Sequence, residues 1–233
     1  MKDGLVSKSE NNLVKVKAGQ VTLEGNLTVP AGAEGVVLFA HGSGSSRLSP
    51  RNRYVAQEIN NAGIGTLLFD LFTPQEEQQD EYNAELRFDI KLLAERLVGA
   101  TDWIETQDET AGLNIGYFGS STGAAAAIIA ASQRPAHVRA IVSRGGRPDL
   151  AGSALSMIDV PTLLIVGGND LQVIELNTKA LSEIGGDKDL EIIPGATHLF
   201  EEPGALEQVS RLAARWFIWY LDYSSFEKGR VTE

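Results

Sequence analysis

The sequence predicts an α/β fold, a mostly parallel sheet with helices on both faces, and three observations carry that expectation. Residues 36–40 are a continuous apolar run instead of an alternating one, the pattern of a strand covered on both sides, and 64–69 and 162–166 read as further strands, the first of them buried. Stretches of helical spacing separate them, and strand-helix-strand alternation implies crossovers between parallel strands. The strands end in loops rich in Gly, Ser, Asn and Asp, where open α/β sheets place their ligands.

In chain order, residues 1–12 are polar and aperiodic, a flexible lead-in. Residues 13–17 and 21–29 alternate around Gly19-Gln20, which predicts an antiparallel pair with one solvated face. A turn over 30–35 precedes the buried strand 36–40 and its loop 41–46. Tyr54, Val55 and Ile59 give residues 50–61 helical spacing, residues 64–69 form the next strand, and the Gln- and Glu-rich stretch 71–81 is expected to be loop. Ile90, Leu93, Leu97, Val98 and Ile104 mark one face of a long helix over 86–106. Strand 113–118 feeds helix 122–132, whose Ala124 to Ala127 run allows close packing on the sheet. Strand 138–142, loop 143–148, one or two helical turns over 150–157, strand 162–166, helix 173–184, strand 190–193 and a last helix over 205–220 follow. One domain therefore spans 13–221, with a polar tail over 222–233.

Composition narrows the function. A chain of 233 residues suits one well-buried domain, and no apolar run approaches the ~20 residues of a membrane span. The first residues lack the apolar run of a secretory signal, and the absence of cysteine removes disulfides, thiolate metal sites and a thiol nucleophile. Both fit a cytoplasmic protein. A net charge of -11, from 31 acidic and 20 basic residues, argues against nucleic-acid binding. No nucleic-acid or membrane partner is expected, and the expected state is a monomer or homodimer. Trp216, Phe217, Trp219 and Tyr220 would be core, or a patch covered in a dimer.

The chemistry centres on Gly119-Ser120-Ser121-Thr122-Gly123, a G-x-S-x-G pattern between a strand and a helix. Near-absent side chains two positions either side of Ser121 accommodate a sharp, strained turn that presents its hydroxyl above the sheet. Asp170 follows strand 162–166 and His198 follows strand 190–193, so three polar groups converge on the carboxyl edge in the order Ser, Asp, His. Imidazole can take the serine proton, and a carboxylate fixes its tautomer. Asp170 has competitors: Asn169 or Glu175 could be mistaken for the acid, and Asp170 itself could cap the following helix. The backbone N–H groups of Ser43, in the loop His41-Gly42-Ser43-Gly44, and of Thr122 are candidate oxyanion donors. His41 reads as structural and His137 as exposed.

With those motifs and Gly195-Ala-Thr-His198, the chain from Leu13 to Tyr220 resembles the α/β-hydrolase superfamily, within it the small, lidless dienelactone-hydrolase-like branch. The resemblance implies an eight-stranded, mostly parallel sheet without a substantial cap domain, and a Ser121-His198-Asp170 triad that needs no cofactor and binds no metal. Dienelactone hydrolases carry a cysteine nucleophile where this chain has Ser121, so carboxylic esters are expected instead of the dienelactone. Acyl transfer, perhydrolysis or thioester cleavage on the same triad is the alternative, and a hydrolase-like ligand-binding protein with little turnover is the alternative of another class.

Segments 71–83 and 147–157 are the candidates for shaping the pocket. Arg47, Arg51 and Arg53 follow one strand end and Arg144 and Arg147 another. Arg47 and Arg144 are candidates to bind an anionic substrate, against the plainer expectation of ion pairs with carboxylates such as Asp70 or Asp149.

Overall fold

A computed structural model describes residues 13–222; the expected lead-in 1–12 and the tail from 223 onward lie outside the described residues. Eight strands form one sheet in the order β1-β2-β4-β3-β5-β6-β7-β8. They are β1 (Leu13–Ala18), β2 (Val21–Thr28), β3 (Gly35–Ala40), β4 (Gly65–Phe69), β5 (Asn114–Ser120), β6 (Val138–Arg144), β7 (Thr162–Gly167) and β8 (Lys188–Ile193). β1 and β2 pair antiparallel with Val16 opposite Leu23, β2 lies antiparallel to β4, and every later pairing is parallel. The alternating first pair and the continuous apolar run after it thus take the places their patterns predict. β3, β4, β5 and β7 are buried along their whole length.

Helices α1 (Pro50–Asn61) and α6 (Ala205–Leu221) cover one face, burying Val55, Ile59, Val209 and Phe217 against Phe39 and Phe118. On the other face, α3 (Ile90–Ile104) and α4 (Thr122–Gln133) bury Leu93, Leu97, Ala125, Ala126 and Ala127 against Leu38 and Tyr117. Removing so much apolar surface from water on both sides is the main favourable term in holding the sheet. α5 (Leu171–Glu183) completes that layer, beside a kinked 3₁₀ segment (Pro148–Met157) that takes the place of the one or two turns expected over 150–157.

Two expectations between β4 and α3 are corrected. The stretch 71–81 is not loop: α2 (Pro74–Asn83) occupies most of it. Thr73 caps this helix, its hydroxyl accepting from the Glu76 N–H at 3.2 Å while the Glu76 carboxylate accepts from the Thr73 N–H at 2.8 Å, and Pro74 sits in the first turn. This helix forms on its caps, with Asp80 its one buried residue, so it has no apolar stripe to read. The long helix over 86–106 is in fact a 3₁₀ turn (Leu86–Phe88) followed by α3. Asp89 breaks the run because its carboxylate caps the Leu92 N–H at 3.0 Å. Among the described residues no segment builds a separate cap domain, and no helix is long and apolar enough to cross a membrane.

Candidate active site

Ser121 sits where β5 turns into α4, with φ 50° and ψ −121°, a backbone conformation in which few residues other than glycine are found. Three hydrogen bonds hold it there. Its N–H donates to the Arg144 carbonyl at 3.3 Å, and its carbonyl accepts from the N–H groups of Ala124 and Arg147 at 3.1 and 3.0 Å. The flanking glycines are required by space. A Cβ on Gly119 would stand 2.4 Å from the Ala124 Cα, and one on Gly123 would stand 2.1 Å from the Ala40 carbonyl oxygen. Gly42 plays the same part from the other side, since a Cβ there would come within 2.9 Å of the Ser121 Cβ. The loop after β3 is thereby pressed against the residue that carries the hydroxyl.

The loops after β7 and β8 are joined by backbone bonds, Gly168 N–H to the Ile193 carbonyl at 2.8 Å and Asn169 N–H to the Ala196 carbonyl at 2.9 Å. Asp170 and His198 meet across that junction, with Asp170 Oδ2 2.7 Å from His198 Nδ1. Asp170 does occupy the first position before α5, yet its side chain makes no cap bond. Its carboxylate goes to the histidine, and the neighbouring Asn169 side chain instead donates to the Gly195 carbonyl at 2.9 Å. That arrangement leaves Nδ1 as the protonated nitrogen and Nε2 as the basic one. His198 lies over Gly145, where a Cβ would be 3.1 Å from the His198 carbonyl oxygen and 3.5 Å from its Nδ1. Gly145 directly follows Arg144, the residue that holds the Ser121 N–H, so one loop carries both contacts.

Thr122 contributes the first N–H of α4, which has no intrahelical acceptor. The Ser43 N–H meets no acceptor among the described residues. Their hydroxyls are linked at 3.1 Å, and because Ser43 Oγ spends its proton on the Arg87 carbonyl at 3.2 Å, Thr122 is the donor of the pair. Arg87 is fixed in turn by buried Asp80, which accepts from the Arg87 N–H at 2.9 Å and from its Nε at 2.7 Å. Nothing in the spacing of Asp80, Arg87 and Ser43 signals this chain of contacts. The hydroxyl of Ser120 donates to Asn52 Oδ1 at 3.1 Å, tying the elbow to α1. Beside Ser43 a groove of about 580 Å³ opens between the 43–49 loop, Arg51, Phe72 and Arg87.

His41 is structural in its surroundings. Its Nε2 accepts from the Leu71 N–H at 3.1 Å, so Nδ1 carries the proton and donates to the Gly42 carbonyl, also at 3.1 Å. Burial pushes the ring below the usual imidazole value of 6.5, outweighing the Gly42 carbonyl and Asp70, which raise it. The folded protein therefore binds fewer protons here than the unfolded chain. The stability this neutral ring contributes is complete above about pH 6.5 and is lost as pH falls below it. Melting temperature is expected to fall between about pH 7 and 5, and His41→Gln, which keeps an acceptor for Leu71, to flatten the slope; an unchanged slope in the variant would reject this.

The expected arginines separate. Arg47 is committed to carboxylates, donating its N–H and Nη1 to Asp70 at 2.8 and 2.9 Å and its Nη2 to Glu24 at 2.9 Å. Arg51 pairs with Glu201 at 2.9 Å and Arg147 with Asp149 at 2.7 Å. Arg144 does neither: it is 8% exposed, its Nη1 has no hydrogen-bond partner, and its guanidinium carbon lies 6.0 Å from the centre of the Phe118 ring. His137 is exposed as expected, and contacts Glu105. Among the described residues no group of three or more His, Asp or Glu is placed to hold a metal ion.

Residues 23–219 match the dienelactone hydrolase family. The chain belongs to that family. A crystal structure of a dienelactone hydrolase from Anabaena variabilis is 60% identical, covers 90% of this chain and 97% of its own, and superposes with a TM-score of 0.89. An alpha-beta serine hydrolase homologue from Coxiella burnetii, 21% identical, shares the fold with a TM-score of 0.72 over 88% of this chain and 96% of its own. A curated relative from Mycobacterium tuberculosis is 58% identical over 208 residues, 89% of this chain. It is named a phosphoribosyl transferase, and this dienelactone hydrolase family chain spans 46% of its length.

Proposed function

We propose that this chain is a serine hydrolase of small carboxylic esters. Ser121 attacks the acyl carbon as His198 Nε2 takes its proton, and Asp170 stabilises the imidazolium that forms. The N–H groups of Ser43 and Thr122 receive the oxyanion of the tetrahedral intermediate. Collapse expels the alcohol, which takes the proton back from His198, and leaves an acyl-enzyme. Water then repeats the cycle with His198 as base and releases the acid.

The observations that support this reading are a serine held in a strained turn by the Arg144 and Arg147 backbone, and an Asp170–His198 pair 2.7 Å apart on loops at the same edge of the sheet. The absence of a cap domain among the described residues, with the groove open beside Ser43, favours short or slender acyl groups. The name of the longer Mycobacterium relative supports a second reading, phosphoribosyl transfer. One experiment separates the two. A fluorophosphonate is expected to label Ser121 stoichiometrically, mapped by peptide mass, in protein that turns over a short aryl ester. No labelling, together with release of pyrophosphate from an activated phosphoribosyl donor, would reject the esterase.

A further inference from the structure

Arg144 ends β6 beside Ser120 in the parallel register, on the face of the sheet that α1 and α6 cover. Ser120 reaches Asn52 of α1 from this face, and the Arg144 guanidinium lies near Phe118 on it. A guanidinium removed from water without a carboxylate is costly, and a fold keeps such a group where something else repays it. The other arginines near this edge, Arg47, Arg51, Arg87 and Arg147, each hold a carboxylate, although Arg47 Nε and Arg51 Nε make no hydrogen bond. Arg144 is the exception, and it is bonded through its backbone to Ser121.

Its surroundings are positive as well. Burial, then the nearby charge of Arg51, pulls Arg144 down to about 10, and it stays charged at neutral pH. Arg51 lies in the first turn of α1, whose capping hydroxyl, Ser49 Oγ, accepts from Asn52 and leaves the Arg51 N–H without an intrahelical acceptor. Glu201 neutralises Arg51, so the local sum is the full charge of Arg144 plus roughly half a charge from the helix end. That sum matches a group carrying one to two negative charges. The Arg51 side chain also lines the groove beside Ser43.

We propose that Arg144 is an anion-binding residue of the substrate site, taking a carboxylate or phosphate carried by the ester on the α1 side of Ser121. This deepens the esterase reading and rests on it for the word substrate; the anion site stands or falls separately. Arginine suits the task because its planar fork meets two oxygens of either group at once, and its weak hydration lowers the cost of burial.

The test compares wild type with Arg144→Met and Arg144→Lys on three aryl esters matched in leaving group: a neutral acetate, a glutarate hemi-ester and a phosphate-bearing acyl ester. Wild type is expected to prefer one of the anionic esters in kcat/KM, and Arg144→Met to lower that anionic-to-neutral ratio by about 10- to 100-fold. The loss should appear mainly in KM, with Arg144→Lys between the two because it keeps the charge and loses the fork. Whichever anionic ester is preferred names the group. In parallel, inorganic phosphate or glutarate is expected to raise the melting temperature of wild type and not of Arg144→Met. Should Arg144→Met fold poorly, Arg144→Lys provides both readouts.

Equal losses on all esters, or no anionic preference and no anion-dependent stabilisation in wild type, would overturn the proposal while leaving the esterase intact. Arg144-dependent stabilisation in a protein that hydrolyses none of the esters would keep the anion site and remove the esterase.

Discussion

Ser121→Ala is expected to lower kcat on a short aryl ester by a factor on the order of 10⁴ to 10⁶, because losing the proposed nucleophile stops the proposed covalent route outright. Stability should respond differently to two substitutions at the same position. The φ of 50° and ψ of −121° cost a residue with a Cβ about 1–3 kcal/mol, and alanine carries that strain as serine does. Ser121→Gly relieves it and returns roughly 0.5–1 kcal/mol in chain entropy, for a net gain of about 1 kcal/mol. Both variants should be inactive, with the glycine melting about 2–4 °C above the alanine. Turnover persisting in Ser121→Ala would remove Ser121 as nucleophile. A glycine variant no more stable than the alanine would show that the turn stores no strain, whatever the kinetics.

The parts of this molecule that follow from apolar pattern were legible in the sequence, and those that follow from capping or from contacts across loops were not. Residues 36–40 read as a doubly covered strand because burial on both faces leaves no polar position there, and both this strand and 162–166 are buried throughout. α2 was hidden because it buries little. Thr73, Pro74 and Glu76 spell a cap that local chemistry alone could have revealed, but a search by hydrophobic period passes over it. Asp89 was masked in the opposite way, since the apolar residues beyond it continue a helical spacing that its own carboxylate interrupts. At the site, Ser121, Asp170 and His198 could be placed at strand ends from topology, and the structure brings the latter two into contact. The Ser43–Arg87–Asp80 chain was illegible because its members lie on three separate elements, and only the folded chain says which hydroxyl meets which carbonyl. The same holds for the arginines. Sequence offered five near two strand ends, and pairing geometry distinguishes Arg47, which is neutralised twice over, from Arg144, which is not.

Gly123→Ala is expected to destabilise the fold by about 3–4 kcal/mol or more, far beyond an ordinary glycine substitution. The added Cβ would lie 2.1 Å from the Ala40 carbonyl oxygen and 2.7 Å from both the Ala40 carbonyl carbon and the His41 carbonyl oxygen. Those atoms are backbone at the end of β3, a strand paired on both sides by β4 and β5, so no side chain can swing away to make room. Gly152→Ala is the control. Gly152 has φ 54° with nothing within 4 Å of its would-be Cβ, so its cost is conformational alone, about 1–3 kcal/mol. Urea unfolding of the two variants separates close approach from backbone strain, and a Gly123→Ala protein within about 1 kcal/mol of wild type would reject the steric account. Activity should fall with it. Gly123 sets the distance between the end of β3 and the start of α4, and the two proposed oxyanion donors flank that contact, Ser43 shortly after Ala40 and Thr122 just before Gly123. Any shift that relieves the overlap must separate those two N–H groups, so molecules that remain folded should lose a further factor of about 10² to 10³ in kcat. A variant that is destabilised yet keeps full kcat in its folded fraction would place the oxyanion donors elsewhere.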